Sequence, residues 1–492
     1  MKKKIPLQID WASYLFAAAA TILTWLLVVR PPWDPDLGWH IRNGEDVWHW
    51  GAPRGDLYSH TMAGYPWVSH EWLTDSLMYL VDHYWGLVAL SAIFATITVG
   101  AYLVAARVSR TRWESVGVSI IVAALVAMSI VGIRPQMLTL LGLAVTLWLL
   151  FRWRDDPKNK LIYWLPLVLL IWVNLHGSFA IGLFLMAVFG VIELIKYLLR
   201  RSNKFNIAGR GLSLPELVQL IGVGVASFAV TFINPYTWRI YDELFRTIFN
   251  SAVRQGINEW LPVTFSHPSS YNLIIYTAFV MLLLVFSIRK VDSTKVWIGG
   301  IFLLLSISSW RNMPLFPLVT LPLLAEMIEV LAPRGISYYL RSGWVILILL
   351  GLVGYVGYDR YFAVIPLSTN EALMGSQQNY PYAAAQYIKQ EQLPGRMFNE
   401  YNWGGYLIWK LPEKKVFIDG RMAIWQTKTQ NVFRDYLTIS HAESGALELL
   451  DRYGVDLVLT YTGGSLGQYL PAHADNWQLV YQDKLASIFT RE

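Results

Sequence analysis

The sequence predicts a mainly α-helical polytopic membrane protein of about eleven transmembrane helices, with a small extracytoplasmic α/β domain at its C-terminal end. Three observations predict this fold class. Hydrophobic residues make up 55% of the 492 residues and charged residues only 15%, against about 25% in soluble domains. Apolar runs of membrane-spanning length recur as far as residue 359. The remaining sequence instead alternates short helical and strand patterns.

Eleven apolar runs approach the roughly 20 residues that a helix needs to cross about 30 Å of hydrocarbon. They cover residues 11–29, 86–106, 115–133, 137–151, 161–175, 178–199, 216–233, 271–288, 296–310, 313–331 and 343–359. The runs at 137–151 and 161–175 have the least distinct ends, because polar residues interrupt the apolar sequence there. The first run follows three lysines, and no small-residue cleavage site comes after it. We therefore expect an uncleaved anchor rather than a removed signal peptide.

The distribution of Lys and Arg orients these spans, since basic residues in short loops favour the cytoplasmic side. With the N-terminus inside, one set of alternate loops carries twenty basic residues, and the longer opposite loops carry eight. We expect a protein of the cell membrane with a cytoplasmic N-terminus and an extracytoplasmic C-terminal domain. The formal charge of +6 then needs no nucleic-acid partner, and the 23 Trp and 27 Tyr favour contact with membrane lipids.

Two domains are expected. A transmembrane domain covers residues 1–360 and includes a long first outer loop at 30–85, and an α/β domain covers 361–492. In the second domain, the patterns predict helices at Tyr382–Gln392 and Gly445–Tyr453, and strands at Val416–Ile418, Val455–Thr460, Gln478–Tyr481 and Ala486–Thr490. The chain has no cysteine, which excludes disulfides, a thiolate nucleophile and a Cys-ligated zinc site.

With this topology, the polar residues that composition leaves unexplained lie at the outer membrane surface. Ionisable groups at membrane depth are costly and by default mark a functional cavity. Each single residue has another explanation, because an Arg at a helix end can anchor headgroups and a His can satisfy an interhelical hydrogen bond. Their convergence from five turns favours one site. The residues are Asp34, Asp36, His40, Arg42, Glu45, Asp56, His60, His70, Glu71, Asp75, Arg134, Asn174, His176, Asn234, Arg239, Glu259 and Arg311.

Asp34 and Asp36 are the candidate catalytic carboxylates, with His70 and Glu71 in the same loop. Two carboxylates two residues apart can share a hard divalent cation, Mg²⁺ or Mn²⁺, which prefers oxygen ligands. One carboxylate that is desolvated beside apolar neighbours can instead act as a general base. An Asp at a helix start is also a common N-cap. The sequence leaves these three roles open, and a divalent metal is the expected cofactor if the first holds.

Three arginines are candidate ligands of a phosphate on the substrate. A planar guanidinium forms paired hydrogen bonds to phosphate oxygens, which suits Arg134, Arg239 and Arg311. We expect other side chains at the outer surface to contact the substrate as well, namely His40, Arg42, His176 and Asn234.

Two stretches of the first outer loop carry a family resemblance. The first is Asp34-Pro-Asp36-Leu-Gly-Trp-His40-Ile-Arg42-Asn-Gly44, and the second is Tyr65-Pro-Trp-Val-Ser-His70-Glu71-Trp-Leu. With a cytoplasmic N-terminus, a many-span bundle and an outer C-terminal domain, the chain resembles the GT-C superfamily of polyprenyl-linked-sugar glycosyltransferases. The first stretch resembles the acidic loop motif of that superfamily, which implies a metal-binding or catalytic carboxylate. The second departs from the superfamily's loop motif by having one Pro rather than two.

A third stretch lies in the C-terminal domain. Asn399-Glu400-Tyr401-Asn402-Trp403-Gly404-Gly405-Tyr406, followed by Asp419-Gly420-Arg421, is similar to the Trp-Trp-Asp-Tyr-Gly region of oligosaccharyltransferase catalytic subunits. That family recognises its acceptor with this region, so the resemblance implies substrate contacts by Trp403, Asp419 and Arg421. The chain departs from the family pattern because the paired Trp is missing and Asn402 stands near the position of the Asp. Tight structural turns explain the glycines equally well.

These observations predict a membrane glycosyltransferase. It would transfer a sugar from a polyprenyl-phosphate-linked donor to a protein or glycan acceptor on the extracytoplasmic side. Two alternatives belong to other classes: a transporter or flippase of lipid-linked saccharide, and a non-catalytic scaffold with the same fold. Transporters often show related half-repeats and polar sites near the bilayer midplane, whereas here no half-repeat is evident and the polar residues gather at one surface.

Overall fold

Helices form most of the molecule. The structure is a computed structural model that describes residues 11–201, 208–249, 257–331, 338–378, 380–473 and 476–491. As far as residue 369, the helices of this described part are α1 (Trp11–Val28), α2 (Leu37–Trp50), α3 (Trp72–Ala106), α4 (Trp113–Ala127), α5 (Met137–Asp155), α6 (Leu165–Leu175), α7 (Phe179–Arg201), α8 (Leu214–Val230), α9 (Arg239–Phe249), α10 (Ser270–Ser287), α11 (Ser293–Ser308), α12 (Leu315–Leu331) and α13 (Gly343–Thr369).

The apolar helices confirm the predicted fold class. Within the described residues, seven are long and apolar enough to cross a bilayer: α1, α3, α5, α7, α10, α12 with the short turn before it, and α13. Four shorter apolar helices, α4, α6, α8 and α11, stand at the remaining predicted runs. The exact number of crossings stays a prediction. So does the orientation, because several of the basic residues that set it lie outside the described residues, among them Lys2, Lys3, Lys4 and Arg334.

Much of the first outer loop, residues 30–85, is helical. Helix α2 lies wholly within it, and α3 begins at Trp72, fourteen residues before the apolar run. Gly86 interrupts α3 with a φ of 74°, a left-handed conformation that glycine adopts without steric cost. The chain therefore changes direction at the point where the apolar run begins.

The C-terminal region is an α/β unit, as predicted. It contains helices α14 (Glu371–Gln378), α15 (Tyr382–Gln390), α16 (Gly404–Lys410), α17 (Val432–Ser440), α18 (Ala446–Tyr453) and α19 (Ser465–His473), and strands β1 (Arg396–Asn399), β2 (Val455–Tyr461), β3 (Trp477–Gln482) and β4 (Ala486–Arg491). The sheet order is β1-β2-β4-β3. The β1–β2 pair is parallel, and the β2–β4 and β3–β4 pairs are antiparallel. Helix α13 continues through residue 360, the boundary that the sequence predicts between domains.

One predicted strand is wrong. Val416–Ile418 is fully buried, but it forms only an isolated bridge to Ser59. The Val416 N–H donates to the Tyr58 carbonyl oxygen over 3.0 Å, and its carbonyl accepts from the His60 N–H over 3.0 Å. The backbone of this apolar segment therefore forms its hydrogen bonds with the first outer loop rather than with the sheet. One edge strand of the sheet is β1, which the sequence did not predict.

The first outer loop is packed tightly against the C-terminal domain. Gly38 on α2 faces Gly405 on α16 so closely that a Cβ on Gly38 would collide with the Gly405 carbonyl oxygen. A Cβ on Gly405 would in turn collide with the Pro35 carbonyl oxygen. The Thr61 hydroxyl donates to the Phe417 carbonyl oxygen over 2.6 Å. One continuous apolar core includes residues of both regions, so the loop is held as part of that core.

The Gly405 contact gives a test of this packing. Replacing Gly405 with Ala places a methyl group against backbone that cannot move aside, and we expect it to lower the free energy of unfolding by about 1–3 kcal/mol. Gly463→Ala is the matched control, because a Cβ there meets nothing within 4 Å. Thermal unfolding of the purified protein in detergent measures both variants. Equal melting temperatures for the two would contradict the close packing.

Candidate functional site

The acidic turn before α2 is organised around Asp34. The Asp34 Oδ1 atom accepts the backbone N–H of Asp36 over 2.8 Å, which fixes the turn. Its other oxygen forms an ion pair with the Nε atom of Arg134, and the Nη2 atom of the same guanidinium pairs with Glu259. Arg134 precedes α5 and Glu259 precedes α10, so one cation joins three distant segments of the chain. Asp34 is therefore charge-compensated.

Asp36 differs from Asp34 in having no ion-pair partner among the described residues, although the charges of His40 and Arg134 act on it from beyond ion-pair distance. It occupies the N-cap position of α2, yet its side chain makes no capping hydrogen bond, so the N-cap role is not observed. Among the described residues, no basic side chain forms an ion pair with this carboxylate. Gly420 of the C-terminal domain lies directly against it, where any Cβ would collide with the carboxylate. Burial and the neighbouring Asp34 carboxylate raise the pKa of Asp36 to about 7.

A second cluster lies one helical turn further along α2. The Glu71 carboxylate is contacted by three histidines, with the ring nitrogens of His176, His70 and His40 at 3.0, 3.4 and 3.7 Å. His40 also bonds to Asp75 over 2.7 Å. Asn43 donates to the other oxygen of Asp75 over 2.6 Å. The cluster therefore joins α2, the start of α3 and the segment between α6 and α7.

The histidines of this cluster differ in charge. Burial lowers the pKa of His176 to about 4, and its Nδ1 atom accepts the Ser178 backbone N–H over 3.1 Å, so the neutral ring carries its proton on Nε2, facing Glu71. Burial alone would lower the pKa of His40 as well, but the carboxylates of Asp75 and Glu71 have the larger opposite effect and raise it to about 9. Although burial opposes it, the contacts with His70 and His176 hold the pKa of Glu71 well below its usual range.

Part of this cluster has the arrangement of a metal site. His40, Glu71 and Asp75 each offer one ligand atom, and these atoms lie within 4.8 Å of one another. All three residues are buried. One imidazole nitrogen and two carboxylate oxygens form a donor set that divalent first-row metals accept. The chain therefore contains a group that could hold a metal ion, and it is not the predicted Asp34 and Asp36 pair.

A small cavity lies beside His176 of the second cluster. It has a volume of about 40 Å³ and is lined by His176, Ser178 and Arg311, among others. The Arg311 guanidinium lies over the ring of Trp260, 5.3 Å from its centroid, next to Glu259 in sequence. Ion pairs join Asp34 to Arg134 and Arg134 to Glu259, and the charge of Arg311 acts on both Glu259 and His176. Because His176 contacts Glu71 and His40 of the same cluster lies on α2, these interactions close a loop, which is called the ring of contacts below.

The predicted residues that meet in this ring come from four parts of the sequence. They are Asp34, Asp36, His40, His70, Glu71, Arg134, His176 and Arg311. Two more members, Asp75 and Glu259, are among the polar residues that the sequence places at the outer surface, but no catalytic or substrate-binding role was predicted for them. A signal for Asp75 was available, because an acid four residues after Glu71 on a helix shares its face. No local signal distinguishes Glu259, whose role depends on a partner 125 residues away.

Asp419 and Arg421 form a separate buried cluster that fastens the C-terminal domain to the first outer loop. The Arg421 guanidinium donates from Nε and Nη2 to the two oxygens of Asp419, each over 2.7 Å, and from Nη2 to Asp56 over 2.9 Å. It also packs against the rings of Tyr58, Trp67 and Trp425 at 4.8, 4.5 and 5.1 Å. These contacts hold the adjacent Gly420 against Asp36.

The remaining predicted residues lie away from the ring. Trp403 is fully buried and packs on Tyr461 with ring centroids 4.3 Å apart. Asn234 caps a turn by accepting the Tyr236 N–H over 2.8 Å. Arg42 pairs with acids of its own helix, and Arg239 is exposed at the start of α9. The structure thus gives Trp403 and Asn234 structural contacts, while their proposed role toward a substrate remains a prediction.

The buried position of Arg421 gives a test of the fastening role. Arg421→Gln would leave Asp56 and Asp419 buried without a cation, which costs about 3–5 kcal/mol. Arg434→Gln, at an exposed position of the same domain, is the control. Chemical denaturation followed by tryptophan fluorescence compares the two variants. An Arg421→Gln midpoint equal to that of the control would mean that the ion cluster does not hold the domains together.

Comparisons with known proteins identify the fold. No protein-family model matches the chain, and no curated protein matches it. Solved structures do match. ArnT from Cupriavidus metallidurans bound to undecaprenyl phosphate is 14% identical, covers 98% of both chains and has a TM-score of 0.56. The Archaeoglobus fulgidus oligosaccharyltransferase in its apo form is 12% identical, with 92% of this chain and 70% of that chain covered and a TM-score of 0.55.

A third match is the Archaeoglobus fulgidus oligosaccharyltransferase AglB in complex with an inhibitory peptide and a dolichol-phosphate. It is 13% identical over 92% of this chain and 69% of that chain, with a TM-score of 0.56. At such low identity these likenesses concern the fold. The chain has the polytopic membrane fold of these glycosyltransferases, which confirms the GT-C-like architecture predicted from the sequence.

Proposed function

We propose that the chain is a membrane glycosyltransferase that transfers a sugar from a polyprenyl-phosphate-linked donor to a protein or glycan acceptor. The observation that carries this proposal is the Asp36 carboxylate, which no basic side chain of the described residues compensates, beside a guanidinium suited to phosphate. A carboxylate that is not neutralised by an ion pair can accept a proton, and Arg134, which is paired with Asp34 of the same turn, can bind an anion.

Arg134 is proposed to bind the donor phosphate. Its Nε and Nη2 atoms are engaged by Asp34 and Glu259, while its Nη1 atom has no hydrogen-bond partner among the described residues. The two carboxylates fix the plane of the guanidinium, so the Nη1 donors are oriented before the phosphate arrives. Such preorganised donors stabilise the charge that develops on a leaving phosphate. Arg311, on the cavity side of the same ring of contacts, is proposed to assist.

The proposed reaction needs one proton transfer and one substitution at carbon. Asp36 takes the proton from the acceptor hydroxyl or amide nitrogen as that atom attacks the anomeric carbon of the sugar. The bond between that carbon and the phosphate oxygen breaks, and the electron pair leaves with the polyprenyl phosphate. Arg134 stabilises the negative charge left on the phosphate. No nucleotide is required, and both substrates enter from the membrane or the outer surface.

The solved structures with this fold support the choice of substrates. ArnT was solved bound to undecaprenyl phosphate, and AglB in complex with a dolichol-phosphate. An Archaeoglobus fulgidus oligosaccharyltransferase structure, 14% identical to this chain with a TM-score of 0.55, carries a tethered acceptor peptide. We propose that the ring of contacts faces the extracytoplasmic side, with the N-terminus in the cytoplasm and the C-terminal domain outside, in agreement with the distribution of basic residues.

Replacing Asp36 with Asn tests the base. The amide keeps the size of the side chain but cannot accept the proton, so we expect transfer to fall by about 10²- to 10⁴-fold. Transfer is measured with a radiolabelled polyprenyl-linked sugar in proteoliposomes, and the melting temperature verifies folding. Glu413→Gln, at an exposed position, is expected to retain full activity. Full activity of Asp36→Asn would remove the assignment, and a donor that crosses the bilayer unchanged would favour a flippase.

We also propose that His40, Glu71 and Asp75 bind a divalent cation, Mg²⁺ or Mn²⁺. A cation bound here would supply Lewis-acid neutralisation of phosphate charge. The chain itself provides the buried carboxylates, and Asn43 orients one of them through its hydrogen bond to Asp75.

Manganese binding tests this assignment without an activity assay. We expect electron paramagnetic resonance to detect about one bound Mn²⁺ per chain, and Glu71→Gln or Asp75→Asn to lose it. Glu413→Gln should bind as the unmodified chain does. If the unmodified chain retains no Mn²⁺ at millimolar concentration, the three residues are held together by charge and hydrogen bonds alone.

A further inference from the structure

A second cleft lies at the opposite end of α2 from Asp36. It has a volume of about 470 Å³, within the range of small-ligand sites, and is formed by the first outer loop and the C-terminal domain. Because α2 has 14 residues, its two ends are about 20 Å apart. The cleft is therefore separate from the ring of contacts around Asp36. Its charged and aromatic lining includes Arg42, Arg54, Lys414, Lys415, Asp46 and Trp50.

The charge of this cleft is strongly positive. Four basic residues and one acid line it, and the acid, Asp46, is already engaged by the Tyr58 hydroxyl over 2.7 Å and by Arg42 over 3.4 Å. Arg54, Lys414 and Lys415 have no carboxylate within ion-pair distance anywhere in the described part of the chain. A concave surface with one sign of charge concentrates ligands of the opposite sign.

Backbone contacts hold two of these cations in place. The Arg54 guanidinium donates to the Pro235 carbonyl oxygen over 2.7 Å, and the Lys414 ammonium donates to the Gly395 carbonyl oxygen over 3.1 Å. Arg54 keeps further N–H donors beyond this bond. Neither carbonyl neutralises the charge of its donor, so both cations lack a counter-ion.

The cleft also offers a flat apolar surface and a position near the membrane. Trp50, at the end of α2, is 86% exposed, so its ring is available for stacking against the apolar face of a sugar or a polyol. The Arg54 contact with Pro235 places one side of the cleft beside the segment after α8, at the surface where the membrane is expected to end. The other side is formed by Lys414 and Lys415 of the C-terminal domain.

We propose that this cleft binds a phosphate ester of a polyol or sugar, with the phosphate between Arg54, Lys414 and Lys415 and the hydroxylated part against Trp50. That chemistry has two sources: the headgroup of an anionic lipid such as phosphatidylglycerol, and a phosphorylated saccharide outside the membrane. The site is independent of the proposed transfer reaction, since Asp36 and Arg134 take no part in it.

Two binding measurements on the full-length purified protein test the proposal. Saturation-transfer difference NMR in neutral phosphatidylcholine nanodiscs detects glucose 6-phosphate, with glucose as the uncharged comparison. Native mass spectrometry counts phosphatidylglycerol molecules retained by the protein. We expect a signal with at least one of the two probes, reduced about tenfold or more in the Lys414→Gln/Lys415→Gln double variant. A signal with the sugar phosphate identifies the saccharide source, and retention of the lipid identifies the headgroup.

Two control variants make the outcome decisive. Lys428→Gln removes an exposed charge of the same domain outside the cleft and should bind like the unmodified chain. Asp36→Asn should also bind normally, which separates this site from the transfer reaction. Absence of both signals in the unmodified chain would overturn the proposal, as would an equal loss in Lys428→Gln. Correct folding of each variant is verified by its melting temperature.

Discussion

The outer site is shaped by the requirement that buried carboxylates be compensated. An ionised carboxylate that leaves water without a partner costs several kcal/mol, and this site gathers acids from the first outer loop, α3 and the segment before α10. Arg134 compensates two of them, His40 lies between two others, and Arg421 holds a further pair. Arg134 and Arg421 each hold at least one acid from a distant part of the chain. The same ion pairs that neutralise the acids therefore also fasten the loop, the helix ends and the C-terminal domain to one another.

Against this background, Asp36 is the exception that gives the site its chemistry. It is two residues from Asp34, which is paired with a guanidinium, and four residues from His40, which contacts two carboxylates. Its own carboxylate faces Gly420, whose missing side chain leaves it room. The Arg421 cluster sets the position of Gly420, so this ion cluster controls the surroundings of the proposed base. The proposed function requires that Asp36 has no ion-pair partner, while the other buried carboxylates of the site are paired with cations.

The sequence predicted those features that depend on neighbouring residues. Apolar runs of about 20 residues predict helices wherever they occur, and all eleven coincide with apolar helices. The acidic turn and Glu71 were found because composition leaves them unexplained. The features that the sequence did not predict depend on contacts between residues far apart in the chain. Val416–Ile418 has a strand-like composition, but its backbone bonds to residues more than 350 positions earlier. The different roles of Asp34 and Asp36 are set by Arg134, and nothing in Asp-Pro-Asp distinguishes the two. The ring of Trp403 fills the core of the C-terminal domain, a structural role that its motif did not indicate, and its role toward a substrate stays a prediction.

The most direct test of this account is a cryo-electron microscopy structure of the protein with a bound polyprenyl phosphate. The account predicts that the phosphate lies within hydrogen-bond distance of the Arg134 Nη1 atom, on the side of the guanidinium that faces Asp36. The Asp34 and Glu259 ion pairs would remain in place, and Asp36 would stay without a basic partner. A phosphate bound away from Arg134, or a cation paired with Asp36 in that complex, would contradict the central claim that an uncompensated carboxylate and a preoriented guanidinium together form the reaction centre.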